Sequence, residues 1–195
     1  SFFLNLVRTL ALQKNLVVLQ ADMTMERRLY STTGEAQALY NELMRNLATR
    51  AKPDGGGLPG LVEQWISRIS QEVKGAGGGD DQVKARLFSD LKDLQEMVGG
   101  FEFAEVLARY YEGHVKGDDA LKAAALRWLR AEFQTKTDAR QALGVRRIIN
   151  DESFYDSLKL MAAFAVKAGY AGILTNIDEL VVLSHRLPSK RATAR

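Results

Sequence analysis

At 195 residues, with 46% hydrophobic and 26% charged content, the chain has the length and composition of one globular domain or of a large part of one. It holds no cysteine, which excludes a disulfide framework, a thiolate metal site and a cysteine nucleophile, and no apolar run approaches the roughly 18 residues that a membrane helix needs. The net charge of +3 comes from Arg186, Lys190, Arg191 and Arg195 in an acid-free tail; without those four it would be −1, so the overall basicity carries no argument for nucleic acid.

The first residues, SFFLNLVRTLALQK, place Phe3, Leu6, Val7 and Leu10 on one helical face; Arg8 lies within the apolar run and no basic segment precedes it, so a signal peptide is not expected. Asn15 breaks the pattern. Leu16-Val17-Val18-Leu19 is then a continuous apolar run with two β-branched residues, the composition of a strand buried on both faces over 16–21. A helix is expected over 33–50, with Thr32 or Thr33 as cap and Glu35 closing a capping box. The glycine-rich segment 52–60 is a loop, and helical periodicity returns over 59–74. Gly75 to Gly79 interrupt it, a helix follows over 80–98, and Gly99-Gly100 stop that one.

Two further helices are expected over 101–115 and 118–133, parted by Gly117, with Asp118 or Asp119 as cap. A short helix over 137–143 ends at Gly144, and a strongly amphipathic one over 151–168 has Asp151 as cap and Gly169 as stop. The last element is a strand over 171–179 whose carboxyl end carries Asp178 and Glu179. The fold class is therefore α/β, predominantly helical. Two strands alone make a poor sheet, and the chain opens without methionine and in mid-pattern, so it is read as a piece of a longer protein.

An apolar strand ending in adjacent acids is what a nucleoside triphosphatase needs at its metal. A buried strand delivers an aspartate to hold magnesium and a second carboxylate to orient the attacking water. The motif is short, and by itself it is more simply read as a buried strand running into an exposed helix cap. No G-x-x-x-x-G-K-[ST] occurs anywhere in the chain; the glycine runs at 55–57 and 77–79 lack the lysine-hydroxyl pair and read as linkers.

Three stretches, SFFLNLVRTLALQKNLVVLQADMTMERRLY, LYNELMRNLATRAKPDGG and ALRWLRAEFQTKTDARQALGVRRIINDESFYDSLKLMAAFAVKAGYAGILTNIDELVVL, resemble the P-loop domain of bacterial ATP-binding proteins related to the ATPases of BREX phage-defence systems. The resemblance runs over nearly the whole chain and is most specific in TKTDARQALGV and in the Asp-Glu strand. It implies an additional-strand, AAA+-like P-loop fold over 1–195. In that fold the two strands are parallel and adjacent, a helical insertion occupies about 59–150, and the Walker B strand about 171–179. It implies ATP and Mg as cofactors. Ser1 would be the Walker A hydroxyl on magnesium, Asp178 the second magnesium ligand and Glu179 the catalytic carboxylate. It further implies a cytoplasmic ATPase, acting within a homo-oligomer, in phage defence; DNA or defence-system proteins as partners find no support in composition. The chain itself, without the Walker A glycines and lysine, is expected to be inactive alone. The reading from another class is a non-enzymatic helical interaction module built on the long helical stretch.

The remaining polar residues have plainer readings. His114 and His185 lie far apart with no further ligand at metal spacing. Arg146-Arg147 is a surface pair or a phosphate contact, and Lys136, Asp138 and Arg140 form either a polar network near nucleotide or a helix contact. Asp22 ends the first strand on the side where ligands bind in such sheets, or simply starts a turn. Trp65, Trp128, Tyr110 and Tyr111 sit among apolar neighbours and belong to the core.

Overall fold

The computed structural model describes residues 2–29 and 33–180. The helix α1 (Phe2–Gln13) leads into strand β1 (Val17–Asp22). The turn between them is closed by Asn15 in the left-handed region at φ 58, with Leu16 N–H donating to Ala11 C=O and Asn15 N–H to Leu12 C=O. Asparagine tolerates that conformation better than most residues, which is why the pattern breaks there. The helical body follows: α2 (Glu35–Arg45), α3 (Leu58–Gly75), α4 (Asp80–Asp90), the single turn α5 (Lys92–Gln95), α6 (Gly100–Lys116), α7 (Asp119–Leu129), α8 (Lys136–Leu143) and α9 (Phe154–Lys167). Strand β2 (Ile173–Asp178) then pairs with β1, parallel and in register from Val17↔Ile173 to Asp22↔Asp178. Both strands, their adjacency and their direction match expectation. Among the described residues no helix is long and apolar enough to cross a membrane.

The core is built from apolar stripes of α2, α3, α6, α7 and α9 against one face of the sheet. Edge-to-face rings link four of these helices: Trp65 with Phe164 at 5.4 Å, Phe164 with Phe103 at 6.0 Å, and Phe103 with Trp128 at 6.4 Å between centroids. Trp65, Trp128, Tyr110 and Tyr111 are all buried, as the sequence pattern requires, and the two indole N–H groups donate to Asp90 Oδ2 and to the Arg147 carbonyl. On the opposite face of the sheet a small cluster, Ala11, Val18 and Ala48 with Leu12, Leu16 and Leu174, holds α1 in place.

Several helix ends are finished by groups remote in sequence, and that is where the sequence-based boundaries fail. Helix α2 has no capping box: its cap position is Gly34, and the Thr33 hydroxyl meets the Glu35 carboxylate at 2.6 Å instead. Thr32 lies outside the described residues. The α2 amides are satisfied by Asp151, whose two carboxylate oxygens accept from Gly34 N–H at 2.7 Å and Gln37 N–H at 2.8 Å. Asp151 therefore does not cap the helix that follows it; α9 starts at Phe154, behind Ser153. Helix α7 stops at Leu129, short of 133, because Ala131 turns left-handed at φ 57. Its N–H then reaches Trp128 C=O while Glu132 N–H reaches Arg127 C=O. An alanine there gives no glycine-like stop signal. Gln37 and Asn41 of α2 donate to the freed carbonyls of Ala131 and Arg130. The expected helix 80–98 is split into α4 and α5, and 33–50 shortens to α2.

Gly100 marks a close approach: a Cβ there would stand 1.5 Å from the Leu94 carbonyl oxygen. Gly100→Ala should cost about 3 kcal/mol or more through forced backbone movement. Gly60→Ala, in α3 with open space around the added methyl, should instead gain about 0.5–1 kcal/mol. Urea midpoints of the two variants, moving in opposite directions, check this contrast. Asp151→Ala strips two amides of their acceptor and should lower stability by about 2 kcal/mol in the same measurement. An unchanged midpoint would show that water replaces the carboxylate at no cost.

Candidate functional site

In a strand successive side chains point to opposite faces, and in a parallel in-register pair the facing residues share a face. Val17 and Leu19 enter the main core, so Val18, Gln20 and Asp22 point to the α1 side, together with Leu174, Asn176 and Asp178 of β2. Along the strand direction the α1 face therefore changes character in three steps. It starts with the apolar pair Val18–Leu174, passes to the amide pair Gln20–Asn176, and ends on the carboxylate pair Asp22–Asp178. Both strands close with the same pattern, amide, apolar residue, aspartate: Gln20-Ala21-Asp22 and Asn176-Ile177-Asp178.

Helix α1 packs on both strands. Its carboxyl end is fastened at the strands' amino ends, where Ala171 N–H donates to Asn15 C=O and Val17 N–H to Gly172 C=O. Twelve helical residues span about 18 Å and six strand residues about 20 Å. The first turn of α1 thus lies toward the carboxyl ends of the strands. Arg8, halfway along, lines a cavity of about 230 Å³ there, with Gln20, Asp22, Glu42, Asn46 and Asp54 among its walls. The Arg8 guanidinium donates to the Pro53 carbonyl.

On this face Gln20 Oε1 and Asn176 Nδ2 are buried and have no hydrogen-bond partner among the described residues. An unpartnered buried amide is costly, so water or a ligand is needed to complete its hydrogen bonding. Asp178 Oδ1 accepts from the Glu179 N–H at 2.9 Å. That bond, made to the charged form, is the leading reason the Asp178 carboxyl lies below its ordinary value, so the group stays ionised. Glu179 itself occupies the left-handed region at φ 58, a strained setting for a non-glycine residue, and its side chain is exposed.

The structure brings Asp178, Glu179 and Asp22 to one end of the sheet. Ser1 and His185 lie outside the described residues. His114 is exposed in the last turn of α6, and among the described residues no group of three or more His, Cys, Asp or Glu side chains is placed to hold a metal. Lys136, Arg140, Arg146 and Arg147 are exposed on and after α8. Arg8, Gln20 and Asn176 were missed in the sequence. The signal available for the amides was the polar residue at the same offset from the terminal aspartate in both strands.

No curated protein and no solved structure matches the chain. A family described as "BREX system ATP-binding protein BrxC/D" matches residues 1–194. With that match spanning nearly its whole length, the chain belongs to the family of BREX system ATP-binding proteins.

Proposed function

We propose that the protein of which these residues are part hydrolyses ATP with magnesium, and that the carboxyl ends of β1 and β2 are the metal side of its nucleotide site. The observation that supports this most is the in-register pairing that sets Asp178 beside Asp22, with the first turn of α1 on the same side. The donor set, ionised oxygens at strand ends, fits Mg²⁺, which is commonly held by one or two carboxylates while substrate phosphates and waters fill its other positions. Bound MgATP would supply the electrophilic γ-phosphate and the charge neutralisation of phosphoryl transfer.

In this reading the chain's own residues take the following roles. Asp178, held ionised by the Glu179 N–H, is a magnesium ligand. Glu179, turned away from the strand by its left-handed backbone, offers its carboxylate to the attacking water. Ser1 is the hydroxyl ligand by the family resemblance. Gln20 and Asn176, with their free amide atoms, lie between the carboxylates and the apolar floor and line the approach to the metal. The span from about 59 to 150 is the helical insertion of the domain, and activity in phage defence, within an oligomer in the cytoplasm, follows from the same reading. The docking-module alternative explains neither the matched amide–aspartate strand ends nor the strained backbone of Glu179.

In the complete protein, Glu179→Gln should reduce phosphate release roughly 100-fold or more while nucleotide affinity stays within a few-fold, because a water-orienting base acts in the transition state. Asp178→Asn should weaken binding only when magnesium is present. Steady-state hydrolysis and equilibrium binding with and without magnesium separate the two roles. Turnover unchanged in Glu179→Gln would remove that residue from the reaction.

A further inference from the structure

Cations in the helical body are mostly neutralised where they stand. Arg68 pairs with Glu72 at 2.6 Å, Lys74 with Asp80 at 3.0 Å, Lys116 with Glu112 at 2.6 Å, and Lys167 with Asp93 at 3.0 Å. The segment from Arg127 to Arg147 departs from this. It contains six arginines and lysines against two acids, Glu132 and Asp138, and Glu132 is already engaged by Arg45 at 3.1 Å. Among the described residues no carboxylate pairs with Lys136, Arg140 or Arg146, and Arg147 has only Glu102, at 3.5 Å. All four side chains are exposed.

The frame beneath them is rigid. Thr135 caps α8 by accepting from Asp138 N–H at 3.1 Å, and Ala139 and Leu143 bury the inner face of the helix. The loop after α8 buries Val145 and Ile149 and leaves Arg146 and Arg147 outside. Its backbone is pinned by the Trp128 indole donating to the Arg147 carbonyl at 2.8 Å. Lys136 and Arg140, four residues apart, form one stripe of the helix, and Gln134, Thr137 and Gln141 add exposed hydrogen-bonding groups beside it. Three cations without a carboxylate partner among the described residues, with Arg147 next to one of them in sequence, on a water-facing surface suit a polymeric anion with regularly repeated charge. A single small phosphate ligand would instead call for enclosure.

We propose that Lys136, Arg140, Arg146 and Arg147, on α8 and the loop after it, form a binding surface for the phosphodiester backbone of duplex DNA. The surface is independent of the strand-end carboxylates, and the proposal does not rest on ATP hydrolysis. The contacts address phosphates, so binding is insensitive to sequence and driven by counterion release.

The test is fluorescence anisotropy of a short labelled random-sequence duplex with the 195-residue chain across a salt series. Four phosphate contacts predict an affinity that falls roughly 100-fold between about 50 and about 200 mM salt. Replacing Arg140 and Arg146 together by Ala should lower affinity at the lowest salt at least about 10-fold and reduce the logarithmic salt slope by about two. Lys84→Ala with Lys92→Ala removes two other exposed, unpaired cations and should change neither. Circular dichroism melts should match wild type throughout; if the alanine pair melts early, Arg140→Gln with Arg146→Gln carries the test. Absence of duplex binding at the lowest salt, or an equal loss in both double variants, overturns the proposal.

Discussion

The parallel, in-register pairing of Val17–Asp22 with Ile173–Asp178 is the constraint on which the rest of the structure depends. A parallel pair cannot be closed by a tight turn; it needs a crossover, commonly a single helix. Here the connection runs from Met23 to Gly172 and contains every helix from α2 to α9. The entropy of closing so long a connection rises only slowly with its length, so the insertion is tolerable provided its ends are fixed. A one-residue slip would turn Asp178 away from the α1 face and bring Ile177 onto it. The register is therefore at once a folding requirement and the statement of where the carboxylates stand.

The ends of the connection are fixed by polar clamps between residues far apart in sequence. Asp151 finishes the start of α2, and Gln37 and Asn41 of α2 hold the carbonyls released at the end of α7. Gln64 and Arg68 of α3 donate to the Ala168 and Lys167 carbonyls at the end of α9, immediately before β2. Each clamp satisfies helix-end groups that would otherwise be buried without partners, so each contributes to stability while setting the angle at which the chain enters the next element. The ring chain from Trp65 through Phe164 and Phe103 to Trp128 then joins the same helices through the core.

Much of this was legible in the sequence. The apolar runs gave both strands, the amphipathic periods gave the helices, Gly117, Gly144 and Gly169 marked stops correctly, and Asp118 caps α7 as its position suggested. What could not be read has a common cause. The start of α2 and the carboxyl ends of α7 and α9 are finished by residues distant in sequence, and the left-handed turn at Ala131 uses a residue with no intrinsic signal for it. For the same reason Asp151 was given to its neighbouring helix: local spacing sees only adjacent amides. At the candidate site the acids were visible because they end an apolar run. The amides Gln20 and Asn176 gained meaning only once the register set them side by side.

The charge distribution carries the last step. The cavity at the carboxyl end of β1 is lined by Asp22, Glu42 and Asp54 with the guanidinium of Arg8, Glu42 being paired with Arg27 at 3.0 Å, and Asp178 stands beside Asp22. On the proposed reading, such a site would repel a bare triphosphate and accept one that arrives with its metal. The exposed side chains Lys136 and Arg140 on α8, with Arg146 and Arg147 after it, have the opposite sign and lie in the connection rather than on the strands. Under the two proposals, one surface would meet phosphate through a cation and the other directly through arginine and lysine. Coupling between them, if it exists in the assembled protein, has a rigid route: α8 is held by α7, whose carbonyls are gripped by α2, which in turn packs against β1.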